Sequence, residues 1–134
     1  GVKYEVYLDH LGLPTCGIGH LIKDTDPEQG LEVGTAISEE RVNELFDEDI
    51  QVTLQECRYL YEDFDDLPEE AQRIIANMMF NLGRPRLSRF LKMKQHVDKR
   101  NFVSASEEMK NSKWYLQVTN RAERLCQRMK DIET

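Results

Sequence analysis

Over residues 2–8, apolar and polar positions alternate, with Val2, Tyr4, Val6 and Leu8 set against Lys3, Glu5 and Tyr7. That is the two-residue period of a strand buried on one face. Gly12 and Pro14 interrupt the pattern and predict a turn, and residues 15–20 read as the returning strand. Within that strand Gly17 and Gly19 leave room for a neighbouring backbone or a ligand to approach. Residues 23–35, rich in Asp, Pro and Gly, predict a loop. The period then changes. Val42, Leu45, Phe46, Ile50, Leu54 and Cys57 recur at helical spacing through about Tyr61. Ser38 suits the N-cap, and Glu39 and Glu40 complement the positive end of the helix dipole. A helix of about twenty residues runs some 30 Å at 1.5 Å per residue, long enough to bridge two lobes.

A second helix opens at Asp65-Asp66-Leu67-Pro68-Glu69-Glu70, with Pro near the first helical position and acids in the first turn. Ile74, Ile75, Met78, Met79 and Leu82 make it apolar over a broad arc, which predicts a central helix, and Gly83 followed by Pro85 ends it. Shorter helices are expected over residues 87–97, 102–111 and about 120–132. The last carries Ala122, Leu125, Cys126, Met129 and Ile132 on one stripe. The pattern is that of an α+β, mostly helical protein. With 134 residues, 40% of them hydrophobic, it suits one ordinary domain or two small lobes sharing a long helix. No internal repeat or low-complexity segment interrupts it. The longest apolar run is a few residues, so no bilayer span is expected. No secretory signal is recognisable behind Gly1.

The formal charge of -7, from 25 acids against 18 Lys plus Arg, argues against a dedicated nucleic-acid binder with a phosphate-neutralising face. It also steers anionic polymers poorly, a penalty that shrinks in salt. The three cysteines, Cys16, Cys57 and Cys126, form no C-x-x-C pair and no His cluster. They read as free thiols in a reducing compartment, with no metal site and no cofactor expected. Cys57 and Cys126 fall on apolar stripes and read as small buried hydrophobes.

The chemistry concentrates in Tyr7-Leu8-Asp9-His10-Leu11-Gly12-Leu13-Pro14-Thr15-Cys16-Gly17-Ile18-Gly19-His20. A hairpin that presents Asp9 at one end of its turn and Thr15 just past the other can hold a water molecule between two oxygen groups, as hydrolysis requires. The plain alternative for Asp9 is a turn-forming Asx residue. Asp49 lies inside the apolar stripe of the long helix. A carboxylate facing a core needs a partner, for which His20 is the candidate; otherwise Asp49 sits at a wet edge of the stripe.

These residues resemble the phage-type lysozymes, the family that includes the lysozyme of T-even phages. The hairpin Tyr7-x-Asp9-x-x-Gly12-x-x-Thr15-x-Gly17-Ile18-Gly19-His20-Leu21 is similar to that family's active-site hairpin. Leu45-Phe46-x-x-Asp49, Asn77-Met78-x-Phe80-x-x-Gly83 and Trp114-Tyr115-x-Gln117-x-x-Asn120-Arg121-Ala122-x-Arg124 follow in the same order and cover nearly the whole chain.

The resemblance implies a two-lobed lysozyme-like fold: a β-hairpin lobe over 1–37, a bridging helix over 38–61 and a helical lobe over 62–134, lacking the family's N-terminal helix. It implies a peptidoglycan muramidase that inverts the anomeric centre, with the glycan strand held between the lobes. Inverting sites separate their carboxyls by about 6.5–9.5 Å to admit water. Asp9 takes the position of the base or water-positioning Asp, and Thr15 that of the Thr that holds the water. His20 and Asp49 match a structural ion pair between hairpin and bridging helix, expected to raise the pKa of His20. Arg121 matches an arginine that approaches the catalytic Glu, while Leu21, Asn77, Phe80 and Asn81 match substrate-binding positions. Asn81 replaces the usual Gln and Val118 a Thr. Trp114 and Tyr115 read as core before sugar platform. The family's general-acid Glu stands nine residues before its Asp, which falls just ahead of Gly1, and Glu5 matches a solvent-facing strand position instead. Two expectations follow: the sequence is part of a longer enzyme whose preceding helix ends in that Glu, or it is a catalytically silent lysozyme-like domain that binds glycan or a partner in a phage particle. The expected partners are peptidoglycan glycan strands, with the protein itself a monomer or part of a phage tail assembly. The expected location is the host cytoplasm before release to the cell wall, or the virion.

Overall fold

The change of hydrophobic period near residue 38 marks the passage from sheet to helix in the computed structural model, which describes residues 1–133. Strands β1 (Lys3–Leu8), β2 (Pro14–Gly17) and β3 (His20–Leu21) form one antiparallel sheet in the order β1-β2-β3. Helix α1 (Glu39–Leu60) follows, then α2 (Glu69–Leu82), α3 (Arg84–Leu87), α4 (Leu91–Asp98), α5 (Phe102–Lys110), α6 (Lys113–Gln117) and α7 (Thr119–Asp131), with a 3-10 turn at Phe64–Asp66. The architecture is mostly helical α+β. The chain divides within α1 into two compact units, residues 1–52 and 53–134.

In the first unit the returning strand expected over 15–20 is broken. Gly17 and Gly19 take φ of +62° and +67°, the left-handed region where glycine is at no steric cost, and the chain reverses between them. β3 then pairs back on β2 through Cys16 and His20 and through Thr15 and Leu21. The space at Gly17 is not open to a ligand, because a Cβ there would lie 3.2 Å from Val42 Cγ1 of α1. Of the four alternating positions Val2, Tyr4, Val6 and Leu8 only Val6 is buried; the other three stay about half exposed. A register shift between Lys3 and Tyr7 breaks the two-residue period. The outer edge of β1 is covered by residues 34–37, with Val6 N–H donating to Thr35 O, Gly34 N–H to Val6 O and Ile37 N–H to Tyr4 O. Val6, Cys16, Ile37, Val42 and Leu45 make the core of this unit.

Helix α1 starts at Ser38, whose Oγ accepts from Arg41 N–H at 3.1 Å, the N-cap the sequence predicts. In the second unit α2 is central, burying Ala71, Ile74, Ile75, Met78, Met79 and Leu82. It ends where Gly83, at φ +79°, donates its N–H to Met79 O. The helix expected over 87–97 starts only at Leu91, as α4; Leu87 instead closes the short α3 that Pro85 opens, and residues 88–90 separate the two. Helix α6, which the sequence pattern did not mark, is capped by Ser112 and buries Trp114 against the edge of Phe90. Arg128 of α7 forks onto Glu70 of α2 at 3.0 and 2.7 Å. Among the described residues no helix is long and apolar enough to cross a membrane.

Candidate active site

The turn after β1 is organised around Leu13. Asp9 Oδ1 accepts the N–H of Leu11 and that of Leu13, each at 2.9 Å. The main chain closes the same turn, Asp9 N–H donating to Leu13 O and Gly12 N–H to Asp9 O. Thr15, 3% exposed, donates its hydroxyl proton to Leu13 O at 2.9 Å. The Asp9 carboxylate and the Thr15 hydroxyl are therefore anchored to the two peptide groups of one residue, so their spacing is set by a closed turn. The turn-forming and the water-holding readings of Asp9 are compatible, because the Asx bonds use one carboxylate oxygen. Among the described residues no protein donor reaches Oδ2. The Leu13 amide foremost, with those of Leu11 and Gly12, holds the Asp9 carboxyl below the usual carboxylate range. The hydroxyl proton of Thr15 is committed to a carbonyl, so toward an incoming water Thr15 offers lone pairs.

His20, 3% exposed, closes the other end of the hairpin. Its Nδ1 lies 2.8 Å from Asp49 Oδ2 of α1 and its Nε2 lies 2.7 Å from Asp26 Oδ2. An ionised carboxylate only accepts, so a ring bonded to two of them at once is best satisfied when both nitrogens carry protons, the imidazolium form. Burial opposes that charge, but the hydrogen bonds to Asp26 and Asp49 outweigh it and leave the pKa raised. For Asp26 burial raises and the Lys23 amide and His20 lower, with a lowered pKa as the result. The sequence did not single out Asp26, since the four acids of the loop, Asp24, Asp26, Glu28 and Glu32, share the same polar surroundings and no period separates them. Glu28, only 7% exposed, receives Arg41 in a fork at 2.9 and 3.1 Å, and this pairing lowers its pKa. Sequence reasoning missed this pair for the same reason.

The remaining candidates lie on β3, α2 and α7. Leu21 lies on β3 in the first unit, half exposed. Asn77, Phe80 and Asn81, at i, i+3 and i+4, share an exposed face of α2. Arg121 is exposed in the first turn of α7. Among the described residues no group of three or more His, Cys, Asp or Glu side chains is arranged to hold a metal ion.

Comparison with known proteins places this geometry in a family context. The phage lysozyme family profile matches residues 1–131. The chain is 29% identical over 144 residues to a protein named "Probable T4-type lysozyme 2" from Dictyostelium discoideum, covering 93% of this chain and 85% of that one. It is 25% identical to the "Pre-baseplate central spike protein Gp5" of Enterobacteria phage T4, covering 93% of this chain and 25% of that protein. It is 28% identical to "Peptidoglycan hydrolase gp36" of Pseudomonas phage phiKMV, again over 93% of this chain but 13% of the other.

Proposed function

The chain belongs to the phage lysozyme family, and from that premise we propose that it is a peptidoglycan muramidase. It hydrolyses the β-1,4 bond between N-acetylmuramic acid and N-acetylglucosamine with inversion at the anomeric carbon. The observation that carries this reading is the anchoring of Asp9 and Thr15 on the two peptide groups of Leu13. A water between them donates one hydrogen to Asp9 Oδ2 and the other to Thr15 Oγ1, which turns an oxygen lone pair toward the sugar. As the water oxygen bonds to the anomeric carbon, the glycosidic C–O bond breaks. The water proton passes to Asp9, and a separate general acid protonates the leaving oxygen. Such transition states resemble an oxocarbenium ion, with charge built on the ring before the nucleophile is fully bonded. An Asp of lowered pKa is a weak base, suited to orienting the water, stabilising that positive charge and taking the proton late.

The names of the relatives support the same reading: one is a peptidoglycan hydrolase and another a T4-type lysozyme. The kinship with a baseplate spike protein supports a virion-associated setting alongside free release to the wall. Leu21, Asn77, Phe80, Asn81 and Arg121 are assigned to the glycan, and the His20–Asp49 pair to structure.

The test is reducing-end release from purified peptidoglycan by the full-length protein, with the anomer of the first product read by NMR. Asp9→Asn keeps an Oδ1 acceptor for Leu11 and Leu13. It should therefore leave the melting temperature unchanged while lowering kcat/KM by about 100-fold or more. Full activity in this variant refutes the assignment. Preference for unsubstituted N-acetylglucosamine oligomers indicates a chitin-type substrate, and wall binding without release indicates a silent binding domain.

A further inference from the structure

β3 has two residues, too few for its own ladder to fix it. It nevertheless sets the hairpin on which Asp9 and Thr15 stand. Leu21 pairs with Thr15, and Ile22 N–H donates to Pro14 O at 3.0 Å. What holds β3 is its one buried side chain, His20, gripped by Asp49 from α1 and by Asp26 from the loop. Asp26 is itself fixed. Its Oδ2 accepts from Lys23 N–H at 2.8 Å as well as from His20, and its own N–H donates to Lys23 O. One carboxylate oxygen thus closes the loop onto the ring.

We infer that Asp26 is a positioning residue for the water-holding pair: by sharing His20 with Asp49 it keeps the ring doubly protonated and pins β3, and through β3 the Thr15 end of the turn. The inference rests on the proposed roles of Asp9 and Thr15, and it adds a second carboxylate that neither the family pairing of His20 with Asp49 nor the sequence pattern calls for. One carboxylate leaves the second ring nitrogen free to lose its proton, whereas two make the loss of either proton unfavourable in a site from which water is largely excluded. The other titratable or charged groups around this cluster are Lys23 of the loop, the Cys16 thiol of β2, and the Glu28–Arg41 pair between loop and α1. Arg41 is shared between Glu28 and the exposed Glu44, which leaves that group with one net negative charge, and burial keeps the Cys16 thiol protonated. The ring therefore answers mainly to its two aspartates.

The test compares the full-length protein with Asp26→Asn, which keeps an oxygen acceptor and removes only the charge, and with Asp26→Ala. Two readouts are followed against pH: reducing-end release, and the NMR signals of the His20 ring and of the Leu13 and Thr15 amides. In the parent the two amides should titrate together with His20. In Asp26→Asn both should move to lower pH by about one unit, and the alkaline limb of kcat/KM should move with them. Activity near pH 5 should stay within about two-fold of the parent. Asp26→Ala should show the same shift with a larger loss. An unchanged His20 titration in Asp26→Asn overturns the inference, and so do Leu13 and Thr15 amides that ignore His20. An equal loss of activity at every pH overturns it as well, since that is what mere loss of fold would give. If the parent releases no reducing ends, the hydrolytic reading fails, while the NMR titration still decides whether Asp26 sets the state of His20 and the turn.

Discussion

Replacing His20 with Asn removes the cation between two carboxylates and offers a direct measure of what holds the hairpin lobe together. The ring is 3% exposed and donates over 2.7 and 2.8 Å. A hydrogen bond to a charged group contributes about 1.5–3 kcal/mol, so the gross loss is about 3–6 kcal/mol. Two effects reduce it: the cost of burying the imidazolium disappears with the ring, and the shorter Asn amide can still donate to one carboxylate. The net destabilisation expected near pH 5.5 is about 2–3 kcal/mol, a fall in Tm of about 6–12 °C for a chain of this length. The pH sets when it is seen. The pKa of His20 is raised on folding, so its contribution is complete below the unfolded imidazole value of about 6.5 and is lost as pH rises through the folded value. The pKa of Asp26 is lowered, so its contribution is complete above about 3.9 and is lost as pH falls through the folded value. Between about pH 4 and 6.5 both are present in full. Urea unfolding followed by far-UV circular dichroism near pH 5.5 and near pH 9 should show the difference between parent and variant shrinking to under about 1 kcal/mol at the higher pH. A difference of equal size at both, or one below about 1 kcal/mol near pH 5.5, refutes the reasoning.

The two glycines of the β2–β3 reversal should differ in what they tolerate. Gly17→Ala meets both a left-handed φ and the Val42 side chain, and should cost about 2–4 kcal/mol. Gly19→Ala meets only the φ, with open space around it, and should cost about 1–2 kcal/mol; equal costs in chemical denaturation would contradict the packing argument. The thiols should be silent in the folded protein. Cys16, Cys57 and Cys126 are buried, and burial pushes Cys57 up to about 12 and Cys126 up to about 11. Iodoacetamide near pH 8 should label none of them until denaturant is added, whereupon all three react; one thiol reacting fast in the native state would show local opening.

The helices were legible because their signal is local. Val42, Leu45 and Cys57 recur at the helical period, Ser38 stands where a cap belongs, and Gly83 stands where α2 must stop; the structure buries or uses each of them. The strands were less legible for a physical reason. A half-buried strand shows its period only if the sheet covers its whole length, and here a register shift in β1 leaves Val6 alone in the core. The break of the returning strand at Gly17 was written as two glycines, but whether those glycines meant space or reversal depended on Val42, which lies 25 positions away in the sequence. The helix break at residues 88–90 and the short α6 carried too few residues for a period to register.

The candidate site divides in the same way. Sequence alone put Asp9 and Thr15 on either side of a tight turn, because Gly12 and Pro14 make the turn locally. It also set His20 at a strand end and Asp49 in an apolar stripe, where an unpaired carboxylate is costly. Only the tertiary structure determined that Leu13 anchors both Asp9 and Thr15, that Asp26 is the second carboxylate on His20, and that Arg41 closes on Glu28. Periodicity and capping are written in neighbours a few residues apart. The partner of a buried charge is chosen by which loop the fold brings within hydrogen-bond reach, and nothing in the spacing of Asp24, Asp26 and Glu28 records that choice.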